Sequence, residues 1–340
     1  MVTIKDIAKQ CNVAVSTVSR VLNHHPNVSE RTRQKVEEAC ASLHYVPNTS
    51  ARNLVLTSSN TIALVLRGFN NPFFGPIIRS IEQEIASSGY SLELHQISDE
   101  GDELLAGEMV CASRHLKGVL FLGGHLNYSP KDLENLSVPF VLCTYSNTLG
   151  TLDPASYSSV SIDDHATAMR ATELLIESGH RRIAFLCDET QDGSISELRF
   201  RGYRDALQKH GLPLDESLII CTNTFTDLST MYEAVMKRLS EGISFTGLFA
   251  ISDMMALSAI RALTDSGLRV PEDCSVVGID GLDLTAYTLP RLTTMVQPVE
   301  EMGKACADLI ISLIEGTGEN RQIIFEPVLR TGSSLREIRS

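Results

Sequence analysis

The stretch TIKDIAKQCNVAVSTVSRVLN, residues 3–23, combines two short amphipathic segments with a polar turn between them. Thr3 and Asp6 have the spacing of a helix-capping box, and the apolar residues that follow recur with a helical period. Asn12 tolerates the left-handed backbone conformation in which a chain turns sharply out of a helix. We therefore predict a helix, a tight turn and a second helix over residues 15–22.

The second predicted helix has a polar face that suits the major groove of DNA. Hydroxyl side chains can bind phosphates or several bases, and an arginine can bind guanine through two hydrogen bonds. The alternative is a small amphipathic helix without a role in binding. A third predicted helix begins at the cap residue Ser29 and ends before Pro47. It favours DNA binding, because its apolar positions complete a three-helix core. The polar face consists of Ser16, Thr17, Ser19 and Arg20.

Charge is distributed unevenly along the 340 residues. The whole chain has a formal net charge of −13, yet residues 1–60 hold seven basic and four acidic side chains, which leaves −16 on the remainder. A basic head on an acidic body is typical of a nucleic-acid module attached to a second unit. The length itself predicts two or three folding units.

From Thr61 onward, short β-rich runs alternate with amphipathic helical segments. This alternation predicts parallel sheets flanked by helices. The pattern restarts after Ser159, so two α/β lobes are expected, and segments from Leu292 onward contain a further helix and strands. In such lobes, ligands bind beyond the carboxyl ends of the strands.

Several side chains near predicted strand ends are candidates for ligand contacts. Phe73 and Phe74 follow the first strand, where their rings could stack on a sugar or a base, or could instead belong to the core. Asp163 and Asp280 follow later strands, and Arg199 lies near the start of a predicted helix. Together, a guanidinium and two carboxylates can hold the hydroxyls of a polyol, sugar or nucleoside. Taken separately, they could be a helix cap, a turn former and a surface charge.

These segments together resemble the lac-repressor (LacI/GalR) family. The head matches over TIKDIAKQCNVAVSTVSRVLN, VSERTRQKVEEA and LHYVPNTSARNL, and the body over NNPFFGPIIRSIEQEI, ESGHRRIAF, RFRGYRDAL, LRVPEDCSVVGIDGLDL and LTTMVQPVEEMG. The resemblance implies an all-α helix-turn-helix DNA-binding head at 1–46, a hinge helix and linker at 47–60, and a two-lobed α/β sensor resembling periplasmic binding proteins at 61–340. The lobes are expected at 61–158 with 291–328, and at 159–290.

The resemblance also assigns DNA contacts. In the hinge, a leucine would insert at the central step of the operator, an arrangement in which an apolar wedge unstacks bases and bends the site; the alternative is a flexible linker with incidental apolar residues. Ala14 and Asn12 stand where the family usually has a capping serine and a turn glycine. The implied base-contacting residues are Val15, Ser16 and Arg20, the implied backbone-contacting residues are Thr3, Ser19 and Asn23, and the hinge residues are Leu54 and Ala51.

An effector site between the lobes is implied as well, with Arg199 and Asp280 matching the family best and with Phe225 and Ser252 added. Ser252 stands where the family frequently has asparagine, and Phe225 matches an aromatic position only after a one-residue shift. The implied partners are a pseudo-palindromic operator, a small effector, and a second copy of the chain in a homodimer or a tetramer. The effector could act as an inducer or as a corepressor, depending on which lobe arrangement it favours.

Other classes of protein are disfavoured. No nucleotide-binding, nucleophile-elbow or zinc-protease motif occurs, so no enzyme activity, cofactor or metal site is expected, although an α/β fold never excludes catalysis. A periplasmic solute-binding protein would need a signal sequence and would have no use for the head. The first residues lack an apolar signal core, so we expect a cytoplasmic, nucleoid-associated protein with its eight cysteines as thiols.

Overall fold

The computed structural model describes residues 4–22, 28–43, 60–98, 101–113, 115–125, 127–145, 150–188, 190, 193–222 and 227–338. The chain divides into two compact units, Met1–Ser59 and Asn60–Ser340, which are called the head and the body below. Of the described helices, none is both long enough and apolar enough to cross a membrane.

The head contains the three helices α1 (Ile4–Cys11), α2 (Val15–Leu22) and α3 (Glu30–Ser42). Asn12 has a φ of 49°, which confirms the predicted left-handed turn between the first two helices. The hydroxyl of Ser29 accepts a hydrogen bond of 3.3 Å from the backbone N–H of Thr32, which confirms the predicted cap of the third helix. The helices enclose one small core, whose buried members are Ile7, Ala8, Cys11, Val18, Val21, Val36 and Ala39.

The body is built from strands and helices that alternate along the chain, which confirms the predicted α/β class. In chain order its elements are β1 (Thr61–Arg67), α4 (Phe74–Ser87), β2 (Ser91–Ile97), α5 (Glu103–Ser113), β3 (Gly118–Leu122), β4 (Phe140–Cys143), β5 (Ser158–Ile162), α6 (Asp164–Glu177), β6 (Ile183–Cys187), α7 (Ile195–Lys209), β7 (Ile219–Cys221), α8 (Leu228–Ser240), β8 (Gly247–Ala250), α9 (Asp253–Asp265), β9 (Ser275–Asp280), β10 (Thr293–Val296), α10 (Val299–Ile314), β11 (Gln322–Phe325) and β12 (Val328–Arg330).

The strands form two six-stranded sheets. The first has the order β11-β5-β4-β3-β1-β2 and the second the order β12-β10-β9-β8-β6-β7. All pairings are parallel except that of β10 with β12. The first sheet packs against its helices in two apolar cores and the second sheet in one. Each sheet with its helices is called a lobe below. Fully buried parallel strands are expected when helices cover both faces.

The lobe boundaries differ from the expected 158 and 290. β5 pairs with β4 and β11, so Ser158–Ile162 completes the first sheet and does not open the second. β10 pairs with β9 and therefore belongs to the second sheet, although it was expected in the first. Strand-helix alternation reveals the order of elements but not the neighbour with which a strand pairs.

The corrected pairing means that the chain crosses between the lobes three times. The first crossover is at Asp163, between β5 and α6; the second is at residues 297–298, between β10 and α10; and the third is at residues 326–327, between β11 and β12. Each crossover is one or two residues long. The carboxyl ends of β5 and β10, and of β9 beside β10, consequently lie next to these connections.

Candidate ligand-binding site and DNA-binding helix

The face of α2 that was expected to contact bases is exposed within the head. Val15 is 41% exposed although it is apolar, and Ser16 and Arg20 are exposed beside it. Val18 and Val21 on the other side of the helix are buried in the head core. An apolar side chain that remains open to solvent next to a hydroxyl and a guanidinium can contact a thymine methyl group.

Some expected residues lie outside the described part of the chain. The structure describes the backbone of Ser19 within α2 but not its side chain. Five other expected residues lie wholly outside the described part of the chain, namely Thr3, Asn23, Ala51, Leu54 and Phe225.

Arg199 is the central charged group of the second lobe. It lies in the second turn of α7 and is 7% exposed. Its Nε and Nη2 atoms lie 2.8 and 2.7 Å from Oδ1 of Asp164, and its Nη1 donates to the carbonyl of Ile251 at the end of β8. Nη1 is also 4.0 Å from Oδ1 of Asp280. A buried guanidinium thus connects the ends of three separate elements.

Asp163 and Asp164 have different roles, which the sequence did not separate. Asp163 is exposed and caps α6, where its Oδ1 accepts a 2.9 Å hydrogen bond from the N–H of Ala166. Asp164 is 4% exposed and is the partner of Arg199. Burial raises the pKa of the Asp164 carboxyl, against the opposing effect of Arg199. The helix cap that was the alternative for Asp163 is therefore what the structure shows.

Asp280 ends β9 and is 6% exposed. Its pKa is raised to about 8, chiefly by burial and also by the charge of nearby Asp253, against the opposing effect of Arg199. Its Oδ1 accepts a 3.0 Å hydrogen bond from the side-chain amide of Gln297. A carboxyl group that holds a proton can both donate to and accept from a ligand hydroxyl.

The end of β8 contributes Ser252 and Asp253. Ser252 is half-buried and caps α9, where its hydroxyl accepts a 3.2 Å hydrogen bond from the N–H of Met255. Asp253 is fully buried and accepts hydrogen bonds from the N–H of Leu282 at 2.7 Å and from the hydroxyl of Thr294 at 2.5 Å. These bonds join α9 to the segments around β9 and β10, so Asp253 has a structural role.

One further acid of the second lobe was missed by sequence reasoning. Asp188 directly follows β6, is 6% exposed, and accepts a hydrogen bond from the hydroxyl of Ser196 on α7. Its position after a buried strand was the signal that could have identified it. Asp188 and Arg199 thus approach the same end of the second sheet from a strand and from a helix.

Phe73 and Phe74 lie after β1 as expected, but their rings are buried. Their exposed fractions are 5% and 8%, and both pack in the apolar core of the first lobe with Ile77 and Leu122. The ring centroids are 5.7 Å apart. This placement favours the core interpretation over stacking on a ligand.

A polar cluster at the carboxyl end of the first sheet was also missed. Glu103 is 1% exposed and accepts hydrogen bonds from the backbone N–H of His125 at 2.8 Å, from the hydroxyl of Tyr128, and from the hydroxyl of Tyr145 at 3.4 Å. Burial opposes its ionisation, but the hydrogen bonds from His125 and Tyr128 outweigh that effect and lower its pKa to about 2. Arg67, which ends β1, lies with its Nη1 2.9 Å from Nδ1 of the half-exposed His125.

The turn of α7 that carries Arg199 also contacts the first lobe. Ile195 and Leu198 pack against the first-lobe core that contains Tyr128 and Tyr145. Met254 and Leu282 of the second lobe pack against the other first-lobe core. The turn of α7 that carries Arg199 therefore lies where the two lobes meet.

Comparison with known proteins gave matches over the whole chain. Residues 3–48 match the model of bacterial regulatory proteins of the lacI family, and residues 172–335 match a periplasmic binding protein-like domain. The HTH-type transcriptional regulator MalR of Clostridium butyricum is 38% identical over 96% of this chain and 97% of its own length. The regulator CelR of Thermobifida fusca is 35% identical over 98% and 97%.

Two solved structures are similar over nearly all of the chain. A complex of the transcriptional regulator CelR with cellobiose has a TM-score of 0.72 at 32% identity, covering 98% of this chain and 100% of that one. The lac repressor dimer bound to operator and the anti-inducer ONPF has a TM-score of 0.77 at 25% identity, covering 98% of each chain.

Proposed function

Because this chain belongs to the lacI family of bacterial regulatory proteins, we propose that it represses transcription from an operator and that a sugar bound around Arg199 changes its operator affinity. It is a DNA-binding transcriptional regulator, as its full-length relatives are, and it is not an enzyme. The similar lac repressor structure is a dimer bound to operator. The proposal gives this chain the same dimeric form on operator DNA, in the cytoplasm and in association with the nucleoid. The proposed division is a head at 1–46, a hinge at 47–60 and a sensor at 61–340.

The observation that carries the sugar proposal is the buried Arg199 between Asp164 and Asp280. Guanidinium and carboxyl groups at the carboxyl end of a parallel sheet form several directed hydrogen bonds to neighbouring hydroxyls. A nucleoside would also need an aromatic face for its base, and the rings of Phe73 and Phe74 are enclosed in the core. The similar CelR structure contains cellobiose, which supports a sugar as well.

The hydrogen bonds around the site provide a route from the sugar to the lobe arrangement. Asp164, the partner of Arg199, directly follows the first crossover, and Gln297, the partner of Asp280, lies within the second. A sugar that moves either carboxyl therefore acts on a connection between the lobes. A ligand shifts a conformational equilibrium only through contacts that differ between the two states. Contacts to Asp164 and Asp280 can differ between two arrangements of the lobes.

On the operator side, the proposal assigns base contacts to Val15, Ser16 and Arg20 of the exposed α2 face. A dimer would present two such faces to two half-sites. The remaining proposed DNA contacts are Thr3, Ser19, Asn23, Ala51 and Leu54.

A thermal-shift screen of mono- and disaccharides against the full chain tests the ligand class. A sugar at a hundred times its Kd should stabilise the protein by about 2.7 kcal/mol. Polyols and nucleosides serve as the comparison compounds. A stabilising nucleoside together with inactive sugars would contradict the proposal.

The double variant Arg199→Met with Asp164→Asn tests the site itself. It removes both charges of the pair, whereas Arg199→Ala alone would leave Asp164 uncompensated and cost about 3–5 kcal/mol. We expect the double variant to lose the sugar-induced shift and the operator response while keeping the operator affinity measured without sugar. Arg201→Ala is the control, because Arg201 is exposed on the same helix. An intact sugar response in the double variant would remove Arg199 from the site.

A further inference from the structure

Two cysteines end neighbouring strands at the carboxyl end of the second sheet. Cys187 is the last residue of β6 and Cys221 the last residue of β7, and the two are direct partners in the parallel register. Their Sγ atoms are 3.5 Å apart. Cys187 is fully buried, whereas Cys221 is exposed. One residue of the contacting pair thus lies at the surface, where reagents in solution can approach it.

We propose that Cys187 and Cys221 form an oxidisable dithiol that closes to an intramolecular disulfide. Register partners on neighbouring strands have backbones about 4.8 Å apart, within the range of about 4.4–6.8 Å between Cα atoms that a disulfide tolerates. The sulfurs must approach by about 1.5 Å to reach a bond of about 2.0 Å. β7 is the edge strand of the sheet, so this approach needs no movement of a strand that is paired on both sides.

The oxidant that we name is hydrogen peroxide. The Cys221 thiolate attacks one peroxide oxygen, the O–O bond breaks, and Cys221 becomes a sulfenic acid while the other oxygen leaves as water after protonation. The sulfur of Cys187 then attacks the Cys221 sulfur, the S–O bond breaks, and the hydroxyl leaves with the Cys187 proton as a second water. With hydrogen peroxide, two thiols lose two electrons and two protons, and the peroxide is reduced to two waters.

A second pair of contacting cysteines provides an internal control. Cys143 and Cys306 interact with each other in the core of the first lobe, and both are fully buried. Oxidation follows exposure as well as proximity. Oxidants should therefore reach Cys221 in the folded chain but neither member of the buried pair.

The dithiol is next to polar groups of the ligand-binding end. Thr222 donates two hydrogen bonds to the carbonyl of Cys187, from its N–H at 3.0 Å and from its hydroxyl at 3.2 Å, and Asp188 directly follows Cys187. A disulfide would fix the end of the edge strand to the strand that precedes Asp188. The thiol chemistry itself does not depend on the proposed sugar site.

The test uses the full chain treated with hydrogen peroxide, alkylated after denaturation and digested for mass spectrometry. We expect a Cys187–Cys221 linked peptide from chains that run as monomers on a denaturing non-reducing gel, and we expect dithiothreitol to restore two alkylatable thiols. The variant Cys221→Ser should yield no linked peptide, and its Cys187 should remain alkylatable.

Three results would overturn the proposal. The first is accumulation of Cys221 as sulfinic or sulfonic acid while Cys187 remains a thiol. The second is a disulfide that joins Cys221 residues of two chains. The third is equal formation of a Cys143–Cys306 disulfide, which would show that oxidation follows unfolding and not the native geometry.

Discussion

Asp280 combines burial, an ionisable group and an uncommon backbone conformation in one residue. Its φ of 123° lies in the region that favours glycine, and its side chain is 6% exposed. Residues held in such conformations cost about 1–3 kcal/mol and cluster at ligand sites. The surrounding bonds from Gln297 and the nearby Arg199 keep the carboxyl at this position.

The variant Asp280→Asn should change how stability depends on pH. Because the folded-state pKa of about 8 exceeds the ordinary value of 3.8, the folded chain keeps a proton that the unfolded chain releases between these values. The free energy of unfolding therefore falls as pH rises through this window. In Asp280→Asn this fall should be smaller. From pH 5 to pH 9 the variant should therefore gain stability relative to the wild-type chain, on the order of a few kcal/mol at about 1.4 kcal/mol per pKa unit.

Urea denaturation of both proteins at pH 5, 7 and 9 provides the measurement for Asp280. The variant Asp283→Asn is the control, since Asp283 is exposed nearby on the same segment. An unchanged pH dependence in Asp280→Asn would show that the Asp280 carboxyl is ionised throughout the window.

The sequence pointed to Asp280 by its place after a strand and to Arg199 by its match to the family, but it did not predict their partners. Asp163 and Asp164 are adjacent acids at a helix start, and only the direction of the helix decides which one caps it and which one faces Arg199. Glu103 and Tyr145 are 42 residues apart and meet only because parallel strands end at one edge. Pattern reasoning contains no information about such distant contacts.

Among the elements, α2 was predicted with its observed bounds because its apolar period and the Asn12 turn agree. Arg20→Ala should relax discrimination between operator and altered operators by about 1–3 kcal/mol, because one bidentate contact to a base is lost. A competition gel-shift experiment measures this, with Arg31→Ala as an exposed control on α3. If Arg20→Ala and Arg31→Ala discriminate equally between operator and altered operators, Arg20 contacts only the DNA backbone.

Residues 47–59 of the proposed hinge lie outside the described residues, so the hinge helix remains a prediction. Leu54→Ala should weaken operator binding by about 1–3 kcal/mol and leave binding to unrelated DNA unchanged, because only a bent specific site accommodates an apolar wedge. Fluorescence anisotropy with both DNAs measures the difference, and Leu56→Ala serves as the neighbouring control. Equal losses on the two DNAs would indicate a linker without a wedge.

For the whole molecule, the three short crossovers determine how the lobes can communicate. The α/β class and the two lobes followed from the alternation of strands and helices. The boundaries did not, because the order of elements does not show that β5 and β10 stay in the sheets of the strands that precede them. The polar bonds at two crossovers lie next to the proposed site. We therefore expect the proposed coupling between sugar and operator to involve both lobes of the body.

Gln297→Met should reduce this coupling more than it reduces sugar affinity. The variant keeps the side-chain length but loses the amide that donates to Asp280. Allosteric coupling typically amounts to about 1–3 kcal/mol, and we expect a loss of about 1 kcal/mol. Operator titrations with and without saturating sugar measure the coupling, with Gln322→Met in β11 as a control of the same residue type. A full operator response in Gln297→Met would exclude this connection.

The late strands β11 and β12 also determine the order in which the protein can mature on the ribosome. β11 adds to β5 in the first sheet, and β12 adds to β10 in the second. Domains generally fold as units from the amino terminus during synthesis, and the head consists of contiguous residues. Neither lobe can complete its sheet until residues 322–330 have left the exit tunnel. A nascent chain can thus hold a finished DNA-binding head well before it holds a finished sensor.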